Sequence, residues 1–273
     1  MSEVNPYLPI EAELLEVIAE TPTIKTFVLK PQVPIEFTAG QFMQLTLPGV
    51  GEAPFTPSSN PKDADRQEIT ILKTGKVTDQ LHEAQAGQVL GLRGPFGKGY
   101  PVEKLYNKEV LLVGGGVGLA PLRALIYALS NEADRFKRVS IKYGARSPSE
   151  LLFPQEYDTW RGHKNFDFTE TVDAASDGWK GNVGVVTTLL TNDLDIDVKN
   201  AYVVSCGPPI MLRFVTFRCL ELGFTPEQIY LSLNRKMSCG IGVCGRCNIG
   251  PYYLCKDGPD MCYEKIMNYE NVF

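Results

Sequence analysis

Five of the seven cysteines are crowded between positions 239 and 262. They read Cys239-Gly-Ile-Gly-Val-Cys244-Gly-Arg-Cys247, followed by Cys255 and Cys262. The spacing C-x4-C-x2-C with a further cysteine downstream is the plant-type pattern for a [2Fe–2S] cluster. The chemistry demands such a loop: four thiolates must close around an anionic cluster, so the backbone has to wrap tightly. Gly240, Gly242 and Gly245 permit the unusual φ values this needs and let backbone N–H groups approach the sulfurs. Zinc is the rival occupant, but zinc tails usually join two C-x2-C units, and only one occurs here. A disulfide framework would spread its cysteines along the chain, and five unliganded core cysteines do not suit so glycine-rich a stretch.

A second constellation is Val113-Gly114-Gly115-Gly116-Val117-Gly118-Leu119-Ala120-Pro121, which joins a strand-like run to a helix-like one. A helix N-terminus offers free N–H groups and partial positive charge, which suits a pyrophosphate, and glycines let the backbone come close to it. No Gly-Lys-Ser/Thr follows, so this is not a Walker A loop. Nor is there a clear acidic ribose-binding residue about 20 positions on, as the ordinary dinucleotide fingerprint requires. A plain tight strand–helix turn is the alternative. His82 and His163 match no motif, and surface or structural roles are expected for both.

These loops need elements to hold them. Over residues 1–103, short alternating runs such as Thr23 to Leu29, Gln41 to Leu47, Glu68 to Leu72 and Gln88 to Leu92 are separated by Pro and Gly breakers. That rhythm indicates an antiparallel β-barrel or sandwich. Over residues 104–225 it changes. Val110 to Val113 is a continuous apolar run suited to a strand buried on both faces. Leu122, Leu125, Ile126 and Leu129 then mark one face of a helix. Further strand-like runs at Val139 to Tyr143, Phe166 to Val172 and Ala201 to Ser205 alternate with helical ones at Val185 to Leu190 and Ile210 to Leu222, where Gly223 serves as the C-terminal stop. Alternation of this kind means a parallel α/β sheet. Residues 226–273 carry a last strand, Ile229 to Leu233, and the cysteine module.

The 273 residues are 44% apolar and 22% charged, with a net charge of −5. Nothing in that balance favours nucleic acid or an anionic membrane. No apolar run of about 18 residues spans a bilayer. The N-terminal stretch MSEVNPYLPIEAELL is acidic, unlike a signal peptide, so a cytoplasmic protein with reduced thiols is expected.

Four segments in order resemble the ferredoxin–NADP reductase superfamily: Ala53-Pro54-Phe55-Thr56, Gly94-Pro95-Phe96-Gly97, Gly114 to Pro121, and Cys206-Gly207-Pro208-Pro209. The cysteine tail makes the chain similar to the electron-transfer subunits of dihydroorotate dehydrogenase. Gly51-Glu52-Ala53-Pro54 looks closer to the electron-transfer subunit of anaerobic sulfite reductase and the gamma subunit of sulfhydrogenases. The likeness covers nearly the whole chain. It implies an FAD-binding barrel, a nicotinamide-nucleotide domain and a [2Fe–2S] module.

The resemblance also assigns residues. Thr56 matches the hydroxyl position near flavin N5, with Pro54 and Phe55 before it, although a turn residue between prolines is an equally simple account. Ala53 stands where many members have Arg, which puts one phosphate contact in doubt. Ile71, Leu72 and Lys73, with Gly75, Val77 and Thr78 of the following turn, match a second flavin segment. Lys73 or Lys76 replaces the missing Arg, or both are solvated lysines. Gly114, Gly115, Gly116, Val117, Gly118, Ala120 and Pro121 match the nucleotide pyrophosphate loop. Gly144 and Arg146 match the adenosine-ribose segment, with NAD and NADP both open. Cys206, with Gly207 and Pro208, matches the residue beside the nicotinamide. Its plain alternative is a buried structural cysteine, as expected for Cys219. Cys239, Cys244 and Cys247 are the first three cluster ligands. For the fourth, counting favours Cys262, while the family's Cys-x-Asp-Gly-Pro context favours Cys255, and Cys255 is the expectation.

The function this implies is diaphorase-type electron transfer between NAD(P)H, FAD and a [2Fe–2S] cluster, to or from a catalytic partner subunit of sulfite reductase or hydrogenase type, with ferredoxin-like subunits as further partners. Cofactors carry such chemistry, so a strong general acid or base is not required. Alternatives are the dihydroorotate dehydrogenase electron-transfer subunit, a stand-alone ferredoxin reductase, and a non-enzymatic zinc-binding module.

Overall fold

The computed structural model describes residues 5–176 and 178–273. The first four residues of the expected flavin domain, and of the N-terminal stretch read against a signal peptide, lie outside the described residues. Two large sheets build the chain. The first is antiparallel: β1 (Ile10–Thr21), β2 (Ile24–Pro31), β3 (Phe42–Leu47), β4 (Gly51–Phe55), β5 (Gln67–Leu72) and β6 (Val89–Phe96), in spatial order β4-β3-β6-β1-β2-β5. Helix α1 (Lys76–Leu81) connects β5 to β6. Strand β1 is not apparent as an alternating run, because register shifts between Leu14 and Glu16 and between Ala19 and Thr21 break its two-residue period.

The expected barrel does not close. β4 and β5 are the two ends of the sheet, with no ladder between them. Pro54 within β4 has no N–H to donate, which confines such a strand to an edge.

The second sheet is built from β7 (Glu109–Gly115), β8 (Arg138–Ala145), β9 (Phe166–Val172), β10 (Asn182–Val183), β11 (Ala201–Cys206) and β12 (Ile229–Ser232), all parallel. A small hairpin of β13 (Asn248–Ile249) and β14 (Tyr252–Tyr253) follows, and β15 (Asp260–Cys262) then joins β12 antiparallel. Helices α2 (Leu119–Ser130), α3 (Tyr157–Gly162) and α4 (Pro209–Glu221) follow β7, β8 and β11. The short α5 (Leu254–Asp257) and α6 (Tyr263–Ile266) flank β15. Val110, Leu111, Leu112 and Val113 are fully buried, as a strand covered on both faces must be. Helix α4 stops at Gly223, whose φ of +96° continues the chain where a side chain would be strained. The expected helix at 185–190 is only a 3₁₀ turn over Val186–Leu189, in which Val186 packs on Gly144 of β8. Among the described residues, no helix is long and apolar enough to cross a membrane.

One buried charge cluster binds the two sheets. Arg123 of α2 pairs with Glu68 of β5 at 2.6 Å and with Glu156, ahead of α3, at 2.5 Å. Its guanidinium also lies 4.4 Å from the Phe153 ring centroid. Burial opposes the Arg123 charge, but the two carboxylates outweigh it and raise its pKa.

Candidate functional site

The unpaired ends β4 and β5 face the carboxyl ends of β7, β11 and β12, and a cleft with about 290 Å³ of free space opens there. A sheet that closed would fill this seam. The carboxyl edge of a parallel sheet is where α/β folds bind nucleotides.

From the antiparallel side, Pro54, Phe55 and Thr56 line the cleft, joined by Thr70 and Leu72 of β5 and by Thr78 of α1. Thr78 also organises its own turn: its Oγ1 accepts from the N–H groups of Thr74 and Gly75, each at 2.9 Å. The segment expected to be a turn is thus the N-terminus of α1. Ala53 faces Leu45 across the β3–β4 ladder and is half-buried. Ile71 is fully buried behind the cleft, where its carbonyl is 3.0 Å from His82 Nε2. His82 is therefore structural, and burial lowers its pKa. Gly75, Lys73 and Lys76 are exposed and Val77 half-buried; Lys73 lies 3.6 Å from Glu83 in a surface pair.

From the parallel side, Val117, Gly118 and Pro121 of the glycine turn line the cleft beside Cys206 and Gly207. Gly118 has a specific reason. A Cβ there would collide with the Cys206 carbonyl and come within 2.7 Å of the Gly207 nitrogen, so glycine keeps the turn flush against β11. Gly114 and Gly115 end β7, Gly116 begins the turn, and Ala120 is buried in α2. Pro208 packs beside Gly115. Gly144 and Arg146 lie at and beyond the end of β8, away from the cleft lining, and Arg146 is exposed. Burial and the neighbouring Asp260 carboxyl push the Cys206 thiol up to about 12.

The cysteine loop abuts the antiparallel sheet. Arg93 of β6 donates to the Cys239 carbonyl at 3.4 Å and the Ser238 carbonyl at 3.5 Å, while gripping Glu52 at 2.6 Å. Gln44 of β3 donates to the Met237 carbonyl, and Met237 lines the cleft. Gly240, Gly242 and Gly245 all adopt positive φ, between +73° and +80°. The turns aim N–H groups at sulfur: Val243 N–H at Cys239 Sγ (3.4 Å) and Gly242 N–H at Cys255 Sγ (3.1 Å). Burial raises the Cys239 thiol, but the N–H groups of Cys244, Ile241 and Val243 outweigh it and bring it down to about 6. Burial and a neighbouring Cys247 thiol raise Cys255 to about 12. The Cys244 thiol acts on Cys239, and the thiols of Cys247 and Cys239 both act on Cys255. Among the described residues, no set of three or more metal-binding side chains converges on one point. Cys262 turns away, its Sγ 3.7 Å from the Pro226 carbonyl.

Several cleft residues carry no motif: Phe42, Thr70, Ser232, Asn234 and Asp260. Ser232 and Asp260 come from strands 28 residues apart in sequence, and only the β12–β15 register brings them together.

An antiparallel sheet and a parallel α/β sheet meeting at a cleft lined by the glycine turn are the architecture of a flavin- and nicotinamide-dependent oxidoreductase, as the matching domain families show. Residues 12–100 match the oxidoreductase FAD-binding domain and residues 112–216 the oxidoreductase NAD-binding domain. The chain belongs to this ferredoxin reductase-like family. It is 34% identical to the sulfhydrogenase 1 gamma subunit of Pyrococcus furiosus, over 97% of this chain and 94% of that one. It is 36% identical to a probable dihydroorotate dehydrogenase B (NAD(+)) electron transfer subunit of the same organism, over 90% and 87%. The NADH-dependent reduced ferredoxin-NADP oxidoreductase structure superposes with a TM-score of 0.75 at 26% identity, over 98% of this chain and 93% of that one.

Proposed function

We propose that the chain is a cytoplasmic electron-transfer subunit that passes electrons between NAD(P)H, FAD and a [2Fe–2S] cluster, to or from a catalytic partner subunit. The observation that carries the reading is the contiguity of cleft and thiols: Met237 lines the cleft, and Cys239 opens the cysteine loop two residues later. Bound FAD supplies the exchange between a hydride and single electrons. The chain supplies position. Thr56 presents a hydroxyl from the flavin side, and Cys206 and Gly207 shape the nicotinamide side. The glycine turn offers its N–H groups to pyrophosphate. Residues 1–103, 104–225 and 226–273 serve the flavin, the nucleotide and the cluster.

The donor set suits the cluster. Four thiolates of one short loop, two of them already met by aimed N–H groups, would hold a [2Fe–2S] cluster. Cys255 rather than Cys262 takes the fourth place in this reading, because Cys255 adjoins Cys247 while Cys262 packs against Pro226.

The test is flavin and metal analysis of anaerobically purified protein. About one FAD and two iron atoms per chain are expected. Stoichiometric zinc without iron would overturn the cluster. The isolated chain should reduce artificial dyes with NADH or NADPH but carry out no terminal reduction. Two partners suit the relatives: a hydrogenase or sulfite reductase type, favoured by the likeness over 97% of the chain to a sulfhydrogenase gamma subunit, and a dihydroorotate dehydrogenase type, favoured by the 36% identity to such a subunit. Co-purification from the native source decides between them.

A further inference from the structure

The carboxyl edge of the parallel sheet carries one register row: Gly114 of β7 faces Cys206 of β11, Cys206 faces Ser232 of β12, and Ser232 faces Asp260 of β15. Neighbours in a row share a face of the sheet, and Cys206, Ser232 and Asp260 all line the cleft. Ser232 Oγ donates to Asp260 Oδ1, and it lies 2.7 Å from the Tyr100 hydroxyl. Asp260 Oδ2 is buried without a hydrogen-bond partner, and no ion pair among the described residues includes Asp260. A carboxylate buried without a cation is costly, so such a group takes up a proton readily. Packing alone gives no reason for an acid at this place, since an amide of the same shape would accept from Ser232 equally well.

We propose that Asp260, acting through Ser232, is the proton-holding group of the cleft: it takes up the proton left behind when the two electrons of a hydride depart singly, and returns it when the flow reverses.

The inference rests on the electron-transfer reading above. A hydride leaving the nicotinamide breaks one C–H bond and brings one proton and two electrons into the cleft. The electrons go one at a time to an acceptor of the iron–sulfur class, so one proton remains for each hydride. Ser232 is placed to move it. Its hydroxyl proton passes to Asp260 while Ser232 Oγ accepts the proton from the cleft. One C–H bond breaks at the nicotinamide and one O–H bond at Ser232, while one O–H forms at Ser232 and one at Asp260, whose carboxylate becomes neutral, so charge and atoms balance. Burial raises the Asp260 carboxyl, and the Ser232 hydroxyl that donates to it limits the rise, to about 8. Proton exchange is most effective when the group titrates near the working pH. The groups facing it are Tyr100 from the segment after β6, Cys206 from β11 and Ser232 from β12. The Tyr100 hydroxyl and the Cys206 thiol are both raised by burial and stay neutral while Asp260 titrates.

The experiment uses the full chain and its variants Asp260→Asn, Asp260→Glu and Ser232→Ala. Infrared spectra of the flavin-free protein are recorded between about pH 6 and about pH 10, in the carbonyl region of protonated carboxylic acids. The FAD-loaded protein is reduced with NADH or NADPH, and its reoxidation by ferricyanide is followed by stopped flow over the same range. Wild type should lose a carboxylic-acid band near pH 8 and show a break in reoxidation rate at the same pH. Asp260→Asn should lack both and reoxidise about a hundredfold more slowly. Asp260→Glu should restore a break, and Ser232→Ala should keep the band but lose the break. An Asp260→Asn variant that binds FAD and keeps the wild-type pH profile overturns the proposal. If Asp260→Asn does not retain flavin, a Ser232→Ala profile identical to wild type overturns it instead. A wild-type chain that binds no FAD refutes the electron-transfer reading itself, a separate result visible in the flavin absorbance.

Discussion

Replacing Arg123 by Met should loosen the seam between the two sheets more than any other single polar change. The guanidinium pairs with Glu68 at 2.6 Å and Glu156 at 2.5 Å, and all three side chains are at most 15% exposed. Removing one partner from a buried ionic cluster costs about 3–5 kcal/mol, because the charges left behind have no compensation. Here two carboxylates are stranded facing the same space. The lost stacking over Phe153 adds about 0.5–1 kcal/mol, and the apolar Met side chain returns part of the packing. A net loss of about 3–4 kcal/mol follows. At about 2–4 °C per kcal/mol for a chain of this size, the melting temperature should fall by about 6–16 °C. Adding Glu68→Gln and Glu156→Gln should recover much of the stability, because neutral groups can be buried together at lower cost. Urea and thermal melts at neutral pH, arranged as a mutant cycle, check this. An Arg123→Met variant within about 1 kcal/mol of wild type, or strictly additive substitutions, would refute the reasoning.

Thr56→Ala should slow flavin reduction at saturating nucleotide more than it weakens nucleotide binding, because Thr56 lines the cleft on the side proposed for the flavin. An unchanged rate in stopped flow counts against that role. Cys255→Ser should lower iron content and abolish the wild-type EPR signal of the reduced protein, while Cys262→Ser, altered beside Pro226, should keep both; the reverse pattern would make Cys262 the ligand. Asp260 titrates near 8 in the folded chain against an ordinary value of 3.8. The native state therefore binds more protons between those values, and this contribution to stability is lost as pH rises from about 4 to about 8. Asp260→Asn should accordingly gain melting temperature over wild type at pH ~9 and gain least at pH ~4, and a gain independent of pH would contradict that sign.

The elements that betray themselves in sequence are those with one dominant period. Val110 to Val113 and the Leu122–Leu129 stripe of α2 read directly, because burial on both faces or on one helical face leaves an unambiguous pattern. β1 does not, because its bulges shift Leu14 and Thr21 out of phase. The open seam is also hidden, since Pro54 signals an edge strand but not which strand it fails to meet. Within the site, contiguous motifs such as Pro54 to Thr56 and Cys206-Gly207 lead to the cleft. Ser232 and Asp260 do not, because their partnership exists only through β12–β15 pairing. Arg123 is similarly silent. It sits beside an apolar helical face and looks like a solvated charge until Glu68 of the other sheet covers it.

The tail is held in a way that bears on electron transfer. It leaves the parallel sheet at the end of β12 and returns to the same strand as β15. Between those points Gln44 and Arg93 of the antiparallel sheet hold the carbonyls of Met237, Ser238 and Cys239. The cysteine loop is therefore anchored to both walls of the cleft, and Glu52 fixes the Arg93 clamp from β4, an edge strand of the antiparallel sheet. A loop tied to one wall would follow that wall alone, and its distance to the cleft would vary with every hinge motion between the sheets. Tied to both, it moves by breaking the β12–β15 ladder or the Gln44 and Arg93 contacts. The Arg123 cluster ties the antiparallel sheet to the α/β unit as well. Rigidity here is a property of the junction between the sheets, so variants at that junction should alter the rate at which electrons pass while leaving each separate binding site intact.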